Sequence, residues 1–198
     1  MLYHTISECG FENVDLIFAL AVRPNITRSE FAAMMTYLLT VVERVAVDEG
    51  EARLGMFMFD TVVRALTVIE LGEISTRQGL IDRIRGMEQM EPAGNASLLV
   101  GLTKLVEMFN NSHISGGRIR DAVVIIDESL DLGGTDAMLA TLNSLNVSMS
   151  VAAIGVSQSA LQALTSEFPH IDMMPMLNFE VTARFGLTNM FKQPECGK

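Results

Sequence analysis

Short, nearly continuous apolar runs separated by stretches of helical periodicity are the feature that most restricts this chain. Val14–Val22, broken only by Asp15, has the length and composition of a strand buried on both faces. Thr27-Arg28-Ser29-Glu30 follows as a capping box, and Phe31, Met34, Met35, Leu38, Val42 and Val45 form a helical stripe ending near Gly50. Leu54–Phe59 and Val63–Leu71 are both strand-like. Only Asp60-Thr61-Val62 separates them, too short for a crossover helix, so the pair is expected to form an antiparallel hairpin.

The alternation continues to the end of the chain. Ser75-Thr76-Arg77-Gln78 is expected to cap a short helix that buries Leu80, Ile81, Ile84 and Met87. After a loop at Pro92-Ala93-Gly94-Asn95, Leu98, Leu102, Leu105, Val106 and Phe109 mark another helix, which Gly116-Gly117 interrupts. Ala122–Asp127 reads as a strand, Asp136–Leu145 as a helix, Ser148–Val156 as a strand and Gln158–Phe168 as a helix. A weaker strand near Met174–Asn178 and a helix from Glu180 to about Phe191 complete the pattern. The expected fold is a doubly wound α/β domain with helices on both faces of a six-stranded, mostly parallel sheet containing one antiparallel hairpin strand. Residues 11–192 are assigned to it, with tails at 1–10 and 193–198.

Composition narrows the function. The 198 residues carry 24 acidic and 14 basic side chains, a net charge of -10, which argues against a nucleic-acid or anionic-membrane partner. No apolar run reaches the length of a membrane span. The absence of Trp and the 6% aromatic content argue against an aromatic binding platform. The fourteen Met fall mostly at core-facing positions, which favours gap-filling over an adaptable binding surface.

Cys9 and Cys196 are either two reduced thiols or one disulfide closing nearly the whole chain. Asn-x-Ser/Thr sequons at Asn25, Asn95, Asn110 and Asn146 exceed the roughly one expected by chance, and favour a secreted, disulfide-bonded glycoprotein. The first residues have neither a cationic start nor an apolar h-region, so a secreted form is expected to be a fragment of a longer precursor.

In an open parallel sheet, ligands bind beyond the carboxyl ends of the strands at the topological switch point. Three loops should meet there: Ala21–Asn25, Gly94–Ser97 and Asp127–Gly134. The first carries no glycine-rich phosphate cradle, and the chain has no GxSxG nucleophile elbow. His4, His113 and His170 fall away from these loops. Asp127 and Glu128, with Asp131, could be an acid/base pair, but no nucleophile or base accompanies them, and a solvated acidic loop is the simpler reading. No catalytic residue is assigned, and the chain is read as a non-enzyme.

The ordered set Asp15-Leu16-Ile17-Phe18-Ala19-Leu20, Leu54-Gly55-Met56-Phe57-Met58-Phe59, Gly94-Asn95, Gly101-Leu102 and Ala122–Asp127 resembles the von Willebrand factor A-type domain over about residues 12–192. Cysteines just outside the domain suit that fold, whose ends lie close together in several members. The resemblance implies a metal-ion-dependent adhesion site with ligands from Asp-x-Ser-x-Ser after the first strand, a Thr before the third helix and an Asp ending the fourth strand. Those positions are here Ala21, Arg23, Asn25, Ala96 and Asp127, of which only the last keeps its family identity. Mg²⁺ requires near-octahedral oxygen ligation, whereas Ala21 removes a carboxylate and Arg23 adds a fixed charge. The expectation is a degenerate site with no metal or other cofactor, where the Arg23 guanidinium replaces the ion and pairs with Asp127.

The expected ligand-binding face is Arg23, Asn25, Asn95, Asp127 and Glu128. By resemblance the partner would be an extracellular matrix or cell-surface protein. The alternative is an intracellular assembly or regulatory protein with reduced cysteines.

Overall fold

The computed structural model describes residues 13–24, 26–87, 94–112, 117–126, 131, 133–154, 156, 162, 165, 166 and 171–176. Five strands are present among them: β1 (Val14–Ala21), β2 (Ala52–Phe59), β3 (Ile119–Ile126), β4 (Val147–Ile154) and β5 (Asp172–Met176). Four helices accompany them: α1 (Arg28–Val42), α2 (Arg77–Arg85), α3 (Leu98–Asn111) and α4 (Asp136–Ser144). The strands form one sheet in the order β2-β1-β3-β4-β5, and every pairing is parallel.

Side-chain alternation along β1 explains the two layers. Leu16, Phe18 and Leu20 join Leu54, Met56 and Met58 of β2 beneath α1 and α2, with Phe31, Met34, Leu38, Leu80 and Ile84. Ile17 and Ala19 point the other way, with Phe57, Phe59, Val124 and Ile126, toward Leu102, Leu105 and Phe109 of α3 and Leu142 of α4. Both faces of a central parallel strand are dry, so every residue of β1 from Leu16 to Leu20 is essentially inaccessible. At closest approach α3 leaves no room for a side chain: a Cβ on Gly101 would lie 2.7 Å from Phe59 Cζ.

Among the described residues the expected six-stranded sheet is corrected to five strands, because Val63–Leu71 does not form the antiparallel hairpin strand. Only isolated antiparallel bridges remain, Phe59 to Val63 and Met56 to Ile69. If Phe59 faces Val63, a regular ladder would set Met56 opposite Leu66. It meets Ile69 instead, and the three extra residues are taken up by a 3-10 turn, Ala65–Thr67. Thr67 allows this. Its hydroxyl donates to the Arg64 carbonyl at 2.7 Å and accepts the Met58 N–H at 2.9 Å, replacing a ladder bond that the turn removes.

Other boundaries moved less. The capping box at Thr27 and Glu30 forms as expected. The N-cap of α2 is Thr76 rather than Ser75, and its side chain accepts the Gly79 N–H at 3.2 Å. Val45 lies past the end of α1 yet is fully buried. The last strand begins two residues before Met174. The helices expected at Gln158–Phe168 and Glu180–Phe191 lie mostly or wholly outside the described residues.

Candidate functional site

Strand order reverses beside β1, because the chain passes from β1 to β2 on one side and then to β3 on the other. The crevice therefore opens where β1 and β3 end, at Ala21 and Ile126. Three further segments reach this rim. The Ser97 N–H donates to the Asp60 carbonyl at 3.0 Å, tying the loop before α3 to the exit of β2. Leu98 N–H donates to the Asp131 carbonyl at 2.8 Å, and Asp131 N–H to the Ala96 carbonyl at 2.8 Å. This reciprocal pair joins the loop before α3 to the loop after β3. The expected convergence of loops is present, and backbone hydrogen bonds hold it.

Ala21 ends β1 half-buried, and Val22 N–H continues the edge to the Phe59 carbonyl at 2.9 Å. Ala96 is fully buried and belongs to the apolar core under α3. Neither side chain carries an oxygen donor. Asn95 is exposed beside Ala96. Asn25, Asp127 and Glu128 lie outside the described residues, as do Cys9, Cys196 and the three histidines.

Arg23 sits in the turn between β1 and α1, and its guanidinium pairs with the Glu30 carboxylate. The same carboxylate accepts the Thr27 N–H and the Thr27 hydroxyl, both at 2.8 Å. The Thr27 backbone amide, opposed by partial burial and assisted by the Thr27 hydroxyl and Arg23, holds the Glu30 pKa below the usual carboxylate range. Glu30 thus caps α1 and fixes Arg23 at the crevice. The Thr-x-x-Glu spacing announced the first role but not the second.

Asp60, in sequence only part of the connection after β2, has a side chain fully buried at this rim. It pairs with Arg64 and accepts the Val62 N–H at 3.0 Å and the Thr61 hydroxyl at 3.4 Å. An acid followed four residues later by arginine was the available signal, but it does not by itself distinguish a buried pair from a surface one. Asp131 is exposed and closes its own turn through Gly133 N–H at 3.1 Å.

Among the described positions, the side chains do not fit an octahedral cation. Two of the positions present only methyl groups, and a third holds a guanidinium already paired with an acid. Among the described residues, no group of three or more His, Cys, Asp and Glu side chains could hold a metal ion. Nor is any described helix long and apolar enough to cross a membrane.

The chain belongs to the von Willebrand factor type A domain family, whose model matches residues 15–193. Domains of this family are generally non-catalytic modules of protein–protein interaction and adhesion. No curated protein matches the chain.

Among solved structures it is similar to proximal thread matrix protein 1 from the mussel byssus, with a TM-score of 0.71 at 14% identity. That match covers 87% of this chain and 45% of the mussel chain. The same mussel protein with a zinc-occupied metal-ion-dependent adhesion motif gives 0.73 at 14% identity, covering 89% and 46%. An aerotolerance-related membrane protein from Bacteroides fragilis NCTC 9343 gives 0.62 at 13% identity, covering 86% of this chain and 95% of that one. The present chain thus spans about half the length of the mussel protein, and at these identities the likeness is one of fold.

Proposed function

We propose that this domain is an extracellular protein-binding module, of matrix-scaffolding or adhesion type, whose crevice works without a divalent metal. The observation that carries the reading is the replacement of oxygen donors at Ala21 and Ala96 by methyl groups, beside an Arg23 held in place by Glu30. Arg23 supplies the positive charge that a cation would otherwise bring, with Glu30 and Asp127 as its acidic partners. Arg23, Asn25, Asn95, Asp127 and Glu128 form the face that meets a protein ligand. The mussel neighbour, named for a thread matrix, is consistent with a scaffolding role. The four sequons support a secreted glycoprotein, in which Cys9 and Cys196 would form the disulfide.

Calorimetric titration with Mg²⁺ and Mn²⁺ tests the metal-free crevice. No saturable binding is expected; micromolar binding that disappears in Asp127→Ala would overturn it. Non-reducing mass spectrometry tests the compartment. A Cys9–Cys196 bridge is expected, whereas two reduced thiols in the native protein would favour an intracellular assembly role.

A further inference from the structure

We infer that Asn110 and Asn146 are a spatially paired set of N-glycan acceptors at the end of the domain opposite the crevice. The two sequons are far apart in sequence, and β3 brings them together. The Arg120 guanidinium lies over the Phe109 ring, 5.8 Å from its centroid, and its Nη1 donates to the Leu145 carbonyl at 2.9 Å. Asn110 and Asn146 are the next residues after those two contacts.

The position within the fold follows from strand direction. Arg120 is the second residue of β3, and its register partner Val147 is the first of β4. Both mark the end where the strands begin. α3 starts at the crevice, with Leu98 bonded to Asp131, and finishes beside Arg120. A hydrated sugar chain on either acceptor would therefore leave the crevice end uncovered.

Both acceptors are accessible. Asn110 is exposed in the last turn of α3, where asparagine is a poor helix former. Asn146 is exposed in the turn before β4 with φ of 55°, a left-handed conformation that asparagine tolerates better than most residues. Each has serine at the third sequon position, Ser112 and Ser148. In the transfer, the side-chain amide nitrogen bonds to the reducing-end C1 of an oligosaccharide carried on a polyprenyl pyrophosphate. The C1–oxygen bond breaks, the pyrophosphate leaves with the electron pair, and the amide loses one proton.

This inference rests on the extracellular reading, and its test separates the two. The full chain is expressed through a eukaryotic secretory pathway as wild type, Asn110→Gln, Asn146→Gln and the double variant. Intact masses are compared before and after peptide N-glycosidase treatment. Each single variant should lose one glycan increment and the double variant two, with release in heavy-oxygen water labelling positions 110 and 146. A secreted protein in which either position is unlabelled would overturn the inference. Reduced cysteines in the native protein would instead overturn the compartment on which it rests.

Discussion

The two ends of the sheet each bury an aspartate completely, and they hold it in different ways. Where the strands begin, Asp15 of β1 receives Arg53 of β2 at 2.8 and 2.6 Å and Arg118, just before β3, at 2.9 Å. These partners are 38 and 103 residues away in sequence. Arg118 also donates to the carbonyls of Gly50 and Glu51, so one acid and two guanidinium groups join three strand starts. Where the strands end, the pairs are local. Asp60 meets Arg64 four residues on, and Arg23 meets Glu30 seven residues on. Long-range ionic contacts secure the fold at one end, while at the other the charges order their own loops. The crevice can therefore change its chemistry without loosening the sheet.

Removing Asp15 should have the largest effect. Asp15→Ala removes the carboxylate shared by two mostly buried guanidinium groups and should lower stability by about 3–5 kcal/mol in urea unfolding. Asp60→Ala provides the contrast. The Val62 N–H loses its acceptor, and one guanidinium rather than two loses its carboxylate, so about 1–3 kcal/mol is expected. Equal losses in the two variants would break the distinction between the ends.

Gly101→Ala probes the packing between them. Its new methyl would press on the Phe59 ring, and a loss of about 1–3 kcal/mol is expected in the same assay. Thr27→Ala sharpens the local side. It removes the α1 cap and should cost about 1 kcal/mol while leaving the Asp15 end intact by amide hydrogen exchange.

The smallest effect concerns Asp121, whose pKa burial pushes above the usual value despite the Ser148 hydroxyl pulling it down. The folded state then holds the proton more tightly than the unfolded chain. Stability is greatest below the ordinary carboxylate pKa and falls as pH rises through the raised value. Asp121→Asn should therefore be slightly more stable than wild type at neutral pH and indistinguishable from it in acid. A gain that persists below the carboxylate range would exclude ionisation as the cause.

Much of this architecture was legible in the chain. The run at Val14–Val22, the box at Thr27 and Glu30, and the stripe Leu98, Leu102, Leu105 and Phe109 each encode their own element through local spacing. The segment Val63–Leu71 misled because its apolar content matches a strand, whereas its outcome depends on the Thr67 hydroxyl reaching Met58. Of the crevice, the substituted positions Ala21, Arg23 and Ala96 were identifiable by resemblance. The pairing of Arg23 with Glu30 and the burial of Asp60 were not, since neither charge type nor spacing reports depth.

Sequence alone thus determined which residues become strands and helices, because hydrogen-bond period and burial period are written in neighbouring positions. Only the tertiary structure decided that Asp15 binds Arg53 and Arg118, that the hairpin strand reduces to isolated bridges, and that Asn110 and Asn146 share one end. Those outcomes depend on the order and register of the strands, which bring together residues that no local pattern relates.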